Sequence, residues 1–302
     1  MSLNDSQPVL KATTLTKRYG KARGIEDVSF EIRTGEVFGF LGPNGAGKTT
    51  TMRILMDAIR PTSGRAEVFG LGARDGKRDI HRRVGYLPSN LGLAERILVR
   101  DRLRYHANLR GGVDWSRVEM LAQHLELDVT RQMKHLSRGN QQKVGIVQAF
   151  MSDPELLLLD EPTTGLDPLM QQAFNRLVED AKRRGRTTFL SSHILPEVEA
   201  LCDRVAIIRT GRVIAVEQVA TLKSRAKRRI EMRLTGDADV RWLEAVRGVT
   251  EAVANRSTLG FVAQGPIGVA LDAVRGHTEI IDVITHEATL EDIFLAYYGG
   301  TS

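Results

Sequence analysis

The chain has a single cysteine, Cys202, among its 302 residues. One thiol cannot form an internal disulfide, so the composition fits a reducing cytosol. It also excludes a metal site built from several thiolates, which leaves oxygen ligands or histidine. No apolar run approaches the ~18 residues that a membrane-spanning helix needs. The first seven residues lack a basic segment followed by an apolar one, so we expect no secretory signal.

Aromatic residues are also few, at 5%, but the chain is 42% hydrophobic and 26% charged. That balance is typical of a folded soluble protein with an ample core. There is no internal repeat and no sustained heptad pattern. The net charge of +6 suits a nucleotide binder, a nucleic-acid binder or a protein near anionic lipid, and it does not decide among them.

Residues 42–50 carry the clearest functional pattern. They read Gly42, Pro43, Asn44, Gly45, Ala46, Gly47, Lys48, Thr49 and Thr50. The preceding apolar run predicts a buried strand, and the following residues have helical spacing. A strand, a glycine-rich turn and a helix in this order are typical of a phosphate-binding loop, whose N–H groups and helix N-terminus face the anion. With Lys48 directed at the β- and γ-phosphates and the Thr49 hydroxyl at Mg²⁺, the sequence predicts a nucleoside triphosphate site.

Two carboxylates follow a second predicted strand. Residues 156–159 are four leucines, and Asp160 and Glu161 come directly after them. Because α/β folds bind ligands at the carboxyl ends of parallel strands, we predict that Asp160 holds Mg²⁺ through its water shell. Glu161 is then placed to orient and deprotonate a water. The strand predicted at residues 187–192 ends at His193, which adds a candidate catalytic group at the same edge.

Tyr19 and Ser137 are functional candidates only in combination with the other motifs. Tyr19 follows basic residues, a setting in which a ring can stack on adenine, although such a tyrosine alone is more often a packed surface residue. Helices are predicted at residues 99–109, 115–127 and 141–151, interrupted by residues 136–140. There Ser137 is placed to cap the next helix, and Gly139 leaves backbone N–H groups accessible. On its own, Ser137 is adequately explained as a cap.

The composition changes at residues 222–229, a basic run that more often marks a solvated linker or helix face than a specific anion site. Beyond it the pattern predicts strands at residues 230–234, 250–254, 259–263 and 280–284. Helices are predicted at residues 240–246, 269–275 and 290–298. The order βαββαβ with a C-terminal helix predicts a small ferredoxin-like α+β domain.

As an ordered set, these residues resemble the ATP-binding subunit of an ABC transporter, over about residues 9–222. Residues 42–49 match the Walker A motif, and residues 156–161 match Walker B with its following glutamate. Residues 136–140 resemble the ABC signature. Residues 165–167, ending at Asp167, match the D-loop. His193 stands at the switch histidine and Tyr19 at the adenine-stacking aromatic. The strings at residues 137–143 and 290–294 most resemble multidrug and antibiotic-resistance exporters, such as the daunorubicin-resistance ATPase subunits.

The resemblance implies an α/β fold: a P-loop ABC ATPase domain over residues 1–222 with a helical subdomain at about residues 90–152. Residues 223–302 then form the small ferredoxin-like accessory domain, as a dimer brace or a sensor. The cofactors implied are ATP and Mg²⁺. Two subunits pair head to tail, each ATP being held by one P-loop and by the partner's Ser137 and Gly139, while Asp167 communicates across the interface. Glu161 acts as base and His193 holds the γ-phosphate and the attacking water in line.

The partners implied are a second copy of the chain and a separate transmembrane permease, which places the protein on the cytoplasmic face of the plasma membrane. No nucleic acid is expected. The alternative is a soluble ABC ATPase acting on ribosomes or nucleic acid. Such proteins generally carry two ATPase domains, long coiled coils or zinc-binding cysteines, whereas this chain has one P-loop and one cysteine. An ATP-driven exporter subunit is therefore the preferred interpretation.

The chain departs from the family pattern at three positions. Arg138 and Asn140 stand in the signature where glycine and glutamine are usual, but the phosphate-contacting Ser137 and Gly139 are kept. Ser89 stands where the family has a glutamine that reaches Mg²⁺. A serine side chain is too short for that contact, so either a water bridges the gap or Asn90 takes the role.

Overall fold

A computed structural model describes residues 8–20, 22–91, 96–225, 227–264 and 267–286. The chain separates into two compact units, residues 1–217 and 218–302. In the described ranges, no helix is long and apolar enough to cross a membrane.

The first unit contains ten strands and seven helices among its described residues. The strands are β1 (Leu10–Tyr19), β2 (Ala22–Ile32), β3 (Val37–Leu41), β4 (Ser63–Val68), β5 (Leu71–Gly72), β6 (Val84–Leu87), β7 (Leu156–Asp160), β8 (Thr187–Ser192), β9 (Arg204–Arg209) and β10 (Arg212–Gln218). The helices are α1 (Lys48–Leu55), α2 (Lys77–Arg83), α3 (Val99–Leu109), α4 (Trp115–His124), α5 (Arg138–Phe150), α6 (Pro168–Arg183) and α7 (Leu195–Leu201).

A six-stranded sheet, in the order β10-β9-β3-β8-β7-β6, carries the site. Strand β3 pairs in parallel with β8 and β9, and β7 pairs in parallel with β6 and β8. Every residue of β3, β7 and β8 is buried, which explains their continuous apolar sequences. The register places Asp160 opposite Ser191. The carboxyl ends of β3, β7 and β8 therefore meet at one edge, as the sequence predicts.

A second, antiparallel sheet in the order β2-β1-β4-β5 packs on the first. The ring centroid of Phe30, in β2, lies 5.4 Å from those of both Phe40 and Phe189 in the six-stranded sheet. Such aromatic pairs contribute about 0.5–1.5 kcal/mol each beyond their buried area. The core between the two sheets thus fixes β3 and β8, and with them the loops that follow.

Helices α3, α4 and α5 form the predicted helical segment. The prediction for residues 99–109 is confirmed by α3. Helix α4 ends at His124, three residues before the predicted end, and Glu126 has a left-handed φ of 49°. Helix α5 begins at Arg138 instead of residue 141, directly after its cap Ser137. The part of this segment at residues 92–95 lies outside the described residues.

An arginine cluster joins α4 to the loops at the opposite edge of the sheet. The carboxylate of Asp153 lies 3.0 Å from Arg117 of α4, 3.4 Å from Arg184 and 2.6 Å from Arg186. Burial alone raises the pKa of Asp153, but the hydrogen bond from Arg186 and the charges of the three arginines lower it below its usual range. The carboxylate is therefore ionised at neutral pH.

Helix α7 ends beside the P-loop strand. Its C-terminal neighbour Cys202 is buried, and the Cys202 Sγ lies 3.0 Å from the position that a Cβ on Gly39 would occupy. Burial raises the pKa of this thiol well above its ordinary value. Sequence reasoning predicted neither α7 nor α2, each of which is seven residues long.

The second unit begins with α8 (Val219–Arg225) and contains β11 (Lys227–Leu234), β12 (Val249–Asn255), β13 (Thr258–Gln264), α9 (Gly268–Arg275) and β14 (Ile280–His286). Its sheet has the order β12-β13-β11-β14, with antiparallel pairing throughout. In β11, Ile230, Met232 and Leu234 are buried in a separate core, while the intervening charged residues are exposed. The predicted ferredoxin-like chain order is present, with the first helix reduced.

The second unit differs from the sequence-based expectation at two places. Residues 227–229 are not linker but the start of β11, where Arg228 is half-buried and Arg229 is exposed. Residues 240–246 form only a 3₁₀ turn at Val240–Leu243, since so short a segment does not offset the cost of helix nucleation. The final helix predicted at residues 290–298 lies outside the described residues.

Candidate nucleotide-binding and hydrolysis site

The loop at residues 42–50 leads from β3 into α1. Gly47 has a φ of 108°, a conformation that side chains rarely adopt. A Cβ there would lie 2.4 Å from the Ile25 side chain. Glycine at this position therefore lets the loop fold tightly against β2, with α1 starting at Lys48. The first N–H groups of α1 are left for an anion, as the P-loop motif predicts.

Lys48 is buried beneath this loop, with 4% of its surface exposed. Its Nζ donates to the carbonyl oxygens of Gly42 at 2.7 Å and Pro43 at 3.1 Å. The same Nζ lies 3.3 Å from Glu161 Oε1. A buried ammonium needs such partners, and these hold its charge at the mouth of the loop.

Asp160 ends β7 and is completely buried. Its Oδ1 accepts a hydrogen bond of 2.7 Å from Ser191 Oγ, in the neighbouring strand β8. Among the described residues, its Oδ2 is buried without a hydrogen-bond partner. A carboxylate oxygen in that situation suits a cation or its bound water.

Glu161 lies between the other charged groups. Its Oε1 is 3.3 Å from Lys48 Nζ and 3.6 Å from His193 Nδ1. The backbone of Glu161 has a left-handed φ of 51°, and neighbouring groups hold it there. Its N–H donates to Ser191 Oγ at 3.0 Å, and its carbonyl accepts from Gln142 Nε2 at 3.1 Å.

Most of the predicted nucleotide ligands line one cleft of about 380 Å³. The lining residues are Tyr19, Gly24, Asn44, Gly45, Gly47, Lys48, Thr49, Thr50, Ser89 and Glu161. A smaller neighbouring cleft of about 210 Å³ is lined in part by Glu161 and His193. The two clefts share the Glu161 carboxylate, which places it at the boundary between phosphate binding and hydrolysis.

Tyr19, the last residue of β1, lines the larger cleft. Its side chain is 47% exposed, and Lys17 Nζ lies 5.3 Å from its ring centroid. A Cβ on Gly24 would lie 2.9 Å from the ring, so this glycine lets the ring lie against the backbone. An exposed ring at the edge of the cleft is available for stacking on a base.

The remaining predicted residues lie outside the lining of the larger cleft within the described chain. Ser137 Oγ accepts from Asn140 N at 3.3 Å and caps α5. A Cβ on Gly139 would lie 2.4 Å from the carbonyl oxygen of Gly165, so the signature glycine packs directly on the D-loop. Asp167 caps α6 by accepting from Met170 N at 3.0 Å.

Tyr86 of β6 lies close to the acidic strand. Burial, together with the negative charge of Asp160, raises the pKa of Tyr86 to about 12. The phenol therefore keeps its proton at physiological pH and adds no charge beside Asp160.

Sequence reasoning missed the residues that hold the site together. Gln142 bonds the carbonyls of both Glu161 and Pro162, and Ser191 links the Asp160 carboxylate to the Glu161 amide. Ser191 had a usable sequence signal, since it lies two residues before His193 in a predicted strand. Gln142 had none beyond its place in the string that follows Ser137.

Comparison with known proteins agrees with this geometry. Residues 25–164 match the family model described as ABC transporter. The bacitracin transport ATP-binding protein BcrA of Bacillus licheniformis is 37% identical over 230 residues, which cover 75% of each chain. A fluoroquinolones export ATP-binding protein of Mycobacterium tuberculosis is 32% identical over 298 residues, covering 96% of this chain and 93% of the relative.

A solved dimeric structure of a bacterial ABC transporter cassette superimposes with a TM-score of 0.65. It covers 70% of this chain and 98% of that chain at 22% identity, and so supports the fold. None of these three descriptions refers to a ribosome or a nucleic acid. The chain belongs to the ABC transporter family, as an ATP-binding and ATP-hydrolysing subunit of the exporter type.

Proposed function

We propose that this ATPase drives the export of antibiotics or similar drug molecules through a separate transmembrane permease. Two relatives support the substrate class, since one is named for bacitracin transport and the other for fluoroquinolone export. The second of them matches along nearly the whole chain, including the second unit. Attachment to such a permease would hold the subunit at the cytoplasmic face of the membrane.

The observation that carries the proposed mechanism is the position of Glu161 between Lys48 and His193, at 3.3 and 3.6 Å. In the proposal, Lys48 and the loop N–H groups bind the β- and γ-phosphates. Glu161 takes a proton from the attacking water, and His193 holds that water and the γ-phosphate in line. Tyr19 stacks on the adenine. These roles place a base and a positioning group next to the bond that breaks.

The residues present fit Mg²⁺. Asp160 offers a buried carboxylate oxygen that has no hydrogen-bond partner among the described residues, and Thr49 lines the same cleft. We assign the Thr49 hydroxyl and Asp160, the latter through water, as the groups that hold the ion. When bound, Mg²⁺ would supply charge neutralisation on the phosphate oxygens.

We further propose that two copies pair head to tail. Ser137 and Gly139 lie outside the cleft that the chain's own P-loop lines, yet they form the N-terminus of α5, as its cap and part of its first turn. A partner's phosphate at that N-terminus would complete the site. Asp167, which caps α6, would then communicate between the two subunits across the dimer interface. The accessory domain proposed at residues 223–302 would act as a brace for this dimer.

Glu161→Gln tests the assignment of the hydrolytic base. We expect the steady-state ATPase rate to fall by about 10²–10⁴-fold, the usual contribution of a general base. ATP affinity should be kept, and size-exclusion chromatography with ATP should show a trapped dimer. Glu179→Gln, an exposed carboxylate of α6, is the matched control. Near wild-type turnover of Glu161→Gln would remove Glu161 from this role.

Affinity purification from host membranes tests the transport proposal. The tagged chain should recover a polytopic membrane protein, and bacitracin or a fluoroquinolone should stimulate the ATPase rate of the complex. The same preparation carrying Glu161→Gln should show no stimulation. Recovery of ribosomes in place of a membrane protein would favour the soluble alternative.

A further inference from the structure

Two chain segments leave the sheet side by side at the catalytic edge. One follows β7 and carries Glu161, and the other follows β8 and carries His193. The strands pair through Asp160 and Ser191, but this pairing ends where the two segments begin. Something beyond the sheet must therefore hold the two side chains at their observed separation.

Glu197, in the first turn of α7, bridges these segments. Its Oε1 accepts a hydrogen bond of 2.6 Å from Thr163 Oγ1, and its Oε2 accepts one of 2.5 Å from Ser192 Oγ. Thr163 and Ser192 are buried, with 5% and 2% of their surfaces exposed. Short bonds from hydroxyls to an ionised carboxylate are about twice as strong as neutral ones.

Both bridged residues are close to the reacting groups in sequence. Thr163 lies two residues after Glu161, and Ser192 comes directly before His193. Ser192 Oγ also accepts from Ile194 N at 3.0 Å, so the backbone on both sides of His193 is tied to the same hydroxyl. The strained φ of Glu161 makes its orientation depend on what holds the following turn.

The same turn touches the signature. Leu166 N donates to the Thr163 carbonyl at 3.0 Å, which closes the turn that contains Gly165. Gly139 packs on the Gly165 carbonyl. The turn is therefore held from one side by the signature and from the other by Glu197.

We propose that Glu197 is a positioning residue for ATP hydrolysis, one that sets the separation of Glu161 and His193 by bridging Thr163 and Ser192. The inference rests on the proposed roles of Glu161 and His193. It adds a connection from the signature, through the turn at Thr163, to His193. A carboxylate in the first turn of α7 also interacts favourably with the helix dipole. That interaction does not require the hydroxyls of Thr163 and Ser192.

Glu197→Ala and Glu197→Gln separate the two roles. Glutamine has the same length, its amide oxygen accepts from one hydroxyl, and its NH₂ group donates to the other. We expect Glu197→Ala to lower kcat by about 10- to 100-fold, as misplacement of reacting groups does, with the Kd for ATP changed less than about twofold. Glu197→Gln should recover most of the lost kcat. Glu179→Ala should match the wild type.

Thr163→Val extends the test, since it removes one bridged hydroxyl at constant shape. Its kcat should fall between those of the wild type and Glu197→Ala, and the double variant should be no slower than Glu197→Ala alone. Thermal unfolding of each variant accompanies the kinetics. Unchanged kcat in Glu197→Ala overturns the proposal. So does a loss shared equally by kcat, ATP affinity and Tm, or a Glu197→Gln as slow as Glu197→Ala.

Glu161→Gln and His193→Ala, measured in parallel, distinguish failure of this inference from failure of the assigned roles. If both lose turnover while Glu197→Ala keeps it, the bridge alone is wrong. If either keeps turnover, the assigned roles are wrong and the inference falls with them.

Discussion

Lys48 makes two kinds of contact that nucleotide binding must rearrange. Its Nζ bonds the loop carbonyls of Gly42 and Pro43 and also lies 3.3 Å from Glu161. Phosphate oxygens would compete with Glu161 for this ammonium. The residue therefore contributes to binding through a charge that the fold already holds in place.

Lys48→Ala should weaken ATP binding itself, because it removes the buried positive charge at the loop. We expect at least a tenfold rise in Kd, about 1.4 kcal/mol, measured by titration with a fluorescent ATP analogue. Lys134→Ala, an exposed lysine, serves as the control. Unchanged affinity in Lys48→Ala would show that the nucleotide binds elsewhere.

Ser89 lines the cleft beside Glu161 and is exposed. We expect a water to complete its contact with the metal, at little cost in strength. Ser89→Gln should then keep or raise the ATPase rate, and Ser89→Ala should lower it only mildly, both measured against Mg²⁺ concentration. A collapse of Mg²⁺-dependent turnover in Asn90→Ala alone would move the role to Asn90.

Among single residues, the sequence predicts those that act together with their immediate neighbours in the chain. The P-loop and the pair Asp160 and Glu161 are contiguous and have a spacing that the phosphate dictates. Gln142 and Glu197 were not predictable, because each acts on a residue 19 or more positions away. Their roles appear only when the sheet brings distant segments together.

At the scale of elements, side-chain caps and left-handed residues set the boundaries. Ser137 and Asp167 begin α5 and α6 through hydrogen bonds to backbone N–H groups. The sequence identified Ser137 as a candidate cap, yet the predicted helix began three residues late. The predicted start of α5 was set by its apolar period, and residues 138–141 contain no large apolar side chain that could reveal the first turn.

Asp153 links α4 to loops of the sheet, and it offers an electrostatic test. Asp153→Asn keeps a residue suited to the left-handed φ of 47° but leaves three arginines without their carboxylate. We expect a loss of about 1 kcal/mol for this partly exposed network, a fall of about 2–4 °C in Tm. Asp27→Asn, a left-handed aspartate with a φ of 54°, is the control.

The pH dependence of this difference has a definite sign. The folded-state pKa of Asp153 is lower than its unfolded value, so its contribution is complete above the unfolded pKa. It is lost as pH falls through the folded pKa. The Tm difference between wild type and Asp153→Asn should hold from neutral pH down to the ordinary range of aspartate, then shrink. A constant difference at more acid pH would exclude the ionised carboxylate as its cause.

At the scale of the whole molecule, each unit has its own core. A chain ending at Glu217 should therefore fold and bind ATP with wild-type affinity, while dimer formation and coupling to the permease weaken. Circular dichroism, ATP titration and size-exclusion chromatography test this against the full chain. Failure of residues 1–217 to fold would show that residues 218–302 belong to the main core.

Most elements of both units were predictable because strands and helices differ in apolar period, but the seven-residue helices α2 and α7 were too short to show one. The boundary between units was harder, since the basic run at residues 222–229 suggests a linker. In the structure, helix α8 and strand β11 occupy most of this run. Charge on an exposed strand position looks the same in the sequence as charge in a solvated linker.

The buried Cys202 beside Gly39 offers a natural labelling site for following movement of α7. Cys202 is only 8% exposed and directly follows α7, so we expect a thiol reagent to label it slowly. The labelling rate should rise when α7, which carries Glu197, moves away from β3. Because the chain has no other cysteine, the label is confined to this position and no engineered thiol is needed. Mass spectrometry would measure the rate of Cys202 labelling with and without ATP, and thus show whether ATP changes the mobility of the segment that follows His193.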